Sequence, residues 1–142
     1  RLRPTLENEV DTIQSNFKPA LVRIEGSVPD VEVLADNMLE SVFRNVLNNA
    51  IQHNDKEVPE VTVSVTHADG TVAIRIADNG PGISDEYKRT IFEKGETGSE
   101  SRGTGIGLSV VDSLVKRHGG TIRVEDNAPT GAVFVIELQV YN

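Results

Sequence analysis

Three short stretches of the 142-residue chain carry side chains that could do chemistry. The first is RNVLNNAIQHN, residues 44 to 54, with Asn45, Asn48 and Asn49 on one expected helix. Asn45 and Asn49 are four apart and so project from one face. Glu, Lys or Arg would build a solvated helix face at less cost, because asparagine side chains compete for backbone hydrogen bonds. What an amide adds is a carbonyl oxygen that can ligate a hard cation without bringing a formal charge. The second stretch is ADNGPGIS, residues 77 to 84. Asn-Gly and Pro-Gly account for a turn there. They do not account for Asp78 at the end of an apolar strand, where burial of an acid is costly without a partner. A carboxylate in that place suits an exocyclic amino group such as adenine's, and Gly82 would let the backbone approach a flat ring closely. The third is ESRGTGIGLSVV, residues 100 to 111, where Gly103, Gly105 and Gly107 precede a helix. Free N–H groups and the helix dipole favour an anion there. No lysine follows the glycines, as a P-loop requires. The spacing is GxGxG after a polar loop, not the dinucleotide-binding GxGxxG after a strand. The element reads as a phosphate cradle of another kind.

Other candidates are weaker. His53, His67 and His118 lack metal-ligand spacing. His67 falls in an expected hairpin turn, and His118, before a Gly-Gly pair, suits the C-terminus of a helix.

Periodicity supplies the elements that must hold these groups. Leu6, Val10, Ile13 and Phe17 predict a first helix over residues 5 to 17. ALVRIEG and VEVLAD read as two short strands around GSVPD. Asn37, with Glu40 three residues on, has the form of a capping box. It opens a helix whose apolar face is Leu39, Val42, Phe43, Val46, Leu47, Ala50 and Ile51. VTVSVT and VAIRIA alternate with period two around HADG and predict a hairpin. Tyr87, Ile91 and Phe92 mark a short helix, and seven of the 12 glycines crowd into residues 80 to 107. Ile106, Val110, Val111, Leu114 and Val115 predict a last helix from about Gly105 to His118, stopped by Gly119. TIRVED and AVFVIELQV close the chain as a hairpin around NAPTG. Helices gathered on one face of a mixed sheet make an α+β sandwich.

Composition narrows the function. A chain of 142 residues, 37% hydrophobic and 25% charged, suits one domain with a real core. The net charge of −8, without a basic cluster, argues against nucleic acid as a partner. No apolar run is long enough to span or contact a membrane, and the first 20 residues lack the apolar core of a signal peptide. There is no cysteine, which removes disulfides and thiolate metal sites and fits the cytoplasm. Arg1 begins the chain abruptly, as expected of a domain excised from a longer protein, with residues 1 to 19 part linker and part first helix.

Together these stretches resemble the catalytic and ATP-binding domain of sensor histidine kinases, the HATPase or GHKL type. ESVFRNVLNNAIQHN resembles the N box, DNGPG the G1 box, IFEKG the F box and GTGIGLSVVDSLVKRHGG the G2 box, with TGAVFVIEL as a weaker G3 element. The resemblance covers about residues 20 to 140, and four boxes in order are specific. It implies the Bergerat fold, a two-layer α/β sandwich of about five strands with three main helices on one face, shared with DNA gyrase and the heat-shock chaperone ATPases. It implies ATP and Mg²⁺, with Asn49 as the metal ligand and Asn45 near the phosphates. Asp78 would bind the adenine amino group in a pocket shaped by Gly80, Gly82 and Ile83, with His53 stacked on the base. Phe92 would sit at the foot of an ATP lid over residues 93 to 104. Gly103, Thr104, Gly105, Gly107 and Leu108 would contact phosphate, and Arg102 the γ-phosphate, leaving Asn45 and Arg102 as the catalytic candidates. The family often has lysine and an aromatic residue where this chain has Gln52 and His53.

The resemblance further implies two-component signal transduction. The γ-phosphate would pass to a histidine on an upstream dimerisation and phosphotransfer domain of the same protein, and then to the receiver domain of a response regulator. The contexts HND, HAD and HGG do not fit a phosphoacceptor, so none of this chain's histidines is expected to accept phosphate. Three alternatives stand beside this reading. A hydrolytic relative would place a glutamate where Asn45 stands. A serine kinase of the anti-sigma-factor type shares the boxes. A degenerate module would bind nucleotide without transfer.

Overall fold

The computed structural model describes residues 2–16, 20–29, 31–33, 38–52, 54–90, 104–128 and 130–140. Its frame is a mixed five-stranded sheet in the order β1-β2-β3-β5-β4. The strands are β1 (Leu21–Ile24), β2 (Glu60–Ala68), β3 (Thr71–Asp78), β4 (Thr121–Asp126) and β5 (Ala132–Gln139). β1 runs parallel to β2, and all other neighbours are antiparallel.

Alternation in the sequence decides which side of the sheet is covered. Val72, Ile74 and Ile76 of β3 turn one way, as do Val61 and Val63 of β2 and Phe134, Ile136 and Leu138 of β5, and all are buried. Three long helices cover this face: α1 (Leu2–Asn16), α2 (Met38–Gln52) and α4 (Thr104–Arg117). A fourth, α3 (Asp85–Thr90), is a short link. The apolar stripe of α2, with Val42, Phe43, Val46 and Leu47 fully buried, forms the centre of the core.

The opposite face carries charge over apolar residues. Val133 and Val135 of β5 are buried on that side, in register with Ala77 and Arg75. Arg75 reaches Glu125 at 2.9 Å, and Arg123 reaches both Glu125 at 2.8 Å and Glu137 at 3.0 Å. The aliphatic stems of such side chains cover apolar surface while their heads stay wet. The two arginines, Arg123 first, draw the Glu125 carboxyl below its ordinary value.

Gln14 clips α1 to the sheet from both ends of its amide. Nε2 donates to the Ala20 carbonyl at 2.6 Å, and Oε1 accepts from the Val22 N–H at 2.7 Å. α4 ends where Gly119 takes φ +81°, and the Gly120 N–H closes on the Val115 carbonyl at 2.9 Å. His118 Nδ1 lies 3.1 Å from the Leu114 carbonyl, as a capping histidine should.

Five expectations need correction. The strand over residues 31 to 36 is reduced to one bridge, Val33 to Val140, among the described residues. Val31, half-buried against the core, and exposed Glu32 pair with no strand, so the described part of that segment is coil up to Val33. His67 is not in the hairpin turn: it pairs with Val72 inside the ladder, and Asp69 and Gly70 make the turn at φ 47° and 83°. Val110, expected on the buried stripe of α4, is 44% exposed, because the helix presents Leu108, Val111 and Val115 instead. The last helix also begins at Thr104, so Gly105 and Gly107 lie within its first turn rather than before it. The first helix starts three residues earlier than its periodicity predicts, at Leu2, whose N–H is bound by the Val31 carbonyl at 2.9 Å.

Candidate functional site

Asp78 is the last residue of β3 and sits at an inward position of its alternation, only 8% exposed. Its Oδ1 accepts hydrogen bonds from the Gly80 N–H at 2.9 Å and the Ala132 N–H at 3.2 Å. Among the described residues Oδ2 has no such bond. Burial pushes the carboxyl above its ordinary value, and the two N–H bonds and the charge of Lys56 pull the other way. A carboxylate at a strand end, with one oxygen held by two N–H groups, keeps acceptor capacity on the other.

The residues around Asp78 hold it in place. Asn79 Oδ1 takes the Asn54 amide at 2.7 Å and the Glu60 N–H at 3.0 Å. That ties the segment after α2 to the turn after β3. A Cβ on Gly80 would meet Asp78 Oδ1 at 3.2 Å and the Asn54 Cα at 3.4 Å, so a bare backbone fits best there. Gly82 has φ +86°, and a Cβ there would stand 3.2 Å from the Gly131 carbonyl oxygen. Glycine at 82 therefore has a conformational reason, independent of any ring it approaches. Ile83 packs, half-buried, against the core.

α2, which packs on β3 and α4, carries both asparagines. Asn49 is buried at 7% exposure. Asn45, half-buried, donates from Nδ2 to the Ser41 carbonyl at 2.7 Å and lies 3.3 Å from Ser41 Oγ. A carbonyl can only accept, so the amide orientation is set by its partner. Thr104, Gly105 and Gly107 form the first turn of α4, and Leu108 is buried in the core beneath them. His53, Phe92, Arg102, Gly103 and residues 93 to 103 of the expected lid lie outside the described residues.

Sequence reasoning missed Asn54, Asn127 and Gly131 as parts of this site. Each stands in a turn, and turn propensity explained it fully. The usable signal was Gly131 directly before a continuous apolar run, where a strand would favour a side chain.

With this geometry in hand, comparison with known proteins is informative. Residues 35–142 match the model of the family described as Histidine kinase-, DNA gyrase B-, and HSP90-like ATPase. The chain belongs to that family, and its relatives place it with the catalytic domains of sensor histidine kinases. It is 31% identical to the C4-dicarboxylate transport sensor protein DctB of Rhizobium meliloti (strain 1021), over 97% of this chain and 22% of that protein. The fold matches the mycobacterial sensor histidine kinase MprB with a TM-score of 0.84 at 27% identity, covering 96% of this chain and 94% of the other. It also matches full-length ShkA, solved in complex with AMPPNP, with a TM-score of 0.74 at 27% identity, covering 99% of this chain and 30% of that one. The chain thus spans about a fifth of DctB. No helix among the described residues is long and apolar enough to cross a membrane.

Proposed function

We propose that this domain binds Mg·ATP and donates the γ-phosphate to a histidine on a dimerisation and phosphotransfer domain of the same protein, in the cytoplasm. A response regulator would then receive the phosphate. The observation that carries the reading is the Asp78 carboxylate, buried, with Oδ1 held by two backbone N–H groups. That arrangement leaves one oxygen for the amino group of adenine. AMPPNP in ShkA, a structure that this fold resembles over 99% of its length, supports the same ligand class.

The donor set fits the rest of the complex. Asn49 is a buried uncharged amide on α2, beside α4, whose first turn carries Gly105 and Gly107. Mg²⁺ usually keeps waters and phosphate oxygens and needs few protein ligands, so one amide oxygen is sufficient from this helix. When bound, the ion supplies charge neutralisation of the triphosphate. The chain's own residues supply position: Asp78 and Gly82 fix the base end, and the N–H groups of the α4 first turn face the phosphate end.

Asn45 argues against hydrolysis. An amide cannot take a proton from water, and its donor is already committed to Ser41. Phosphoryl transfer to a protein side chain needs no base from this position. The test is incubation of the chain with Mg·ATP and the separately produced histidine-bearing domain. The expected result is acid-labile phosphate on that domain and none on His53, His67 or His118. Acid-stable phosphoserine on a partner would favour the serine-kinase reading instead.

A further inference from the structure

The turn between β4 and β5 grips Asp78 at its backbone and its side chain. The ladder between β3 and β5 ends at Ala77 paired with Val133, one residue short of Asp78. Beyond that point Asn127 takes over, its Nδ2 donating to the Asp78 carbonyl oxygen at 2.7 Å. The carbonyl only accepts, so this amide has one possible orientation. The Ala132 N–H reaches the carboxylate of the same residue. Between them, Gly131 comes so close that a Cβ would stand 2.0 Å from the Asp78 carbonyl oxygen. The turn is itself closed by the Asn127 N–H on the Gly131 carbonyl at 3.0 Å. Its leading edge is tied to α3, where Lys88 Nζ meets Asp126 at 2.6 Å.

Recognition of a base by one carboxylate oxygen depends on where that oxygen stands, with a tolerance of about 0.5 Å. The direction of the Asp78 Cα–Cβ bond follows from its peptide plane, and Asn127 holds that plane. We propose that Asn127 is a positioning residue for Asp78, and that its bond to the Asp78 carbonyl sets the preference of the site for a purine bearing a 6-amino group. The inference rests on the nucleotide reading above.

Inosine triphosphate, with a 6-oxo group facing the Asp78 acceptor, is the probe that isolates this role. Calorimetric titrations of the 142-residue chain would compare it with ATP, both with Mg²⁺. Asn127→Ala should weaken ATP about fivefold, the worth of one hydrogen bond, and shift inosine triphosphate by less than about twofold. Asn127→Asp, equal in size but without the donor, should narrow the preference as well. In an Asp78→Asn background, Asn127→Ala should leave the preference unchanged. Equal weakening of both nucleotides, or an unaltered preference, in variants that melt like the wild type would overturn the Asn127 assignment and leave the nucleotide reading standing. Loss of the fold in both variants would make Asn127 structural and overturn the assignment too. Failure of the wild type to bind Mg·ATP, or binding indifferent to Asp78→Asn, would overturn both readings.

Discussion

In the proposed function, Asp78 is a residue that serves binding at the expense of stability. Burial raises its carboxyl above the ordinary 3.8, the largest influence on it. In the pH range between that value and the raised one, the folded chain keeps a proton that the unfolded chain gives up. Stability therefore falls as pH rises through that window. Asp78→Asn removes this slope while keeping an oxygen for the Gly80 and Ala132 N–H groups. Thermal melts across the window should show the variant gaining on the wild type as pH rises; parallel curves would contradict the burial argument. Gly131 is the steric counterpart. Gly131→Ala adds a Cβ 2.0 Å from the Asp78 carbonyl oxygen at φ +110°, and should cost about 2 kcal/mol or more in chemical denaturation. An unchanged denaturation midpoint would mean that the turn yields easily. Asp78 was legible in the sequence because an acid at the end of an apolar strand has no ordinary explanation. Asn127 was not, because an asparagine in a turn does, and its partner is 49 residues away.

Helices and strands were read from their periodicity where one side is buried and the other is not. β2, β3 and α2 have that contrast, and their positions follow the pattern; β5, buried on both faces over residues 132 to 136, was read from its apolar run. The misreadings have physical causes. The VEVLAD run has strand composition but, over its described part, pairs only through Val33. Val110 matches the spacing of its neighbours, yet the stripe of α4 is too narrow to include it. α1 hides the opposite exception, Glu9, 3% exposed on the apolar face beside Leu6 and Val10. Its Oε2 is 3.5 Å from Arg44 of α2, whereas its Oε1 is buried without a partner. An unsatisfied buried oxygen costs about 1–3 kcal/mol, and well-packed apolar replacements of buried ionic groups are often stabilising. Glu9→Leu should raise stability by about 1 kcal/mol in urea unfolding. A loss instead would show that Glu9 is needed to join α1 to α2, just before Asn45.

At the scale of the whole molecule, the strand order could not be read from the sequence. The parallel pairing of β1 with β2 joins segments far apart in the chain, and no local pattern states it. Four boxes in order carried that information by resemblance, and the sheet order and family match agree with it. The order matters for function, since it brings the ends of β3 and α2 and the start of β5 together around Asp78. Under the proposed function, a domain arranged this way would hold a nucleotide and present its phosphate outward to another domain. Without that domain, radiolabelled Mg·ATP should leave the chain's three histidines unlabelled; label on any of them would contradict the account. The most direct test of the central claim is calorimetric titration of the chain with Mg·ATP. The account predicts one site per chain, weakened at least about tenfold by Asp78→Asn and markedly by Asn49→Ala. Absence of binding, or binding that Asp78→Asn leaves intact, would contradict it.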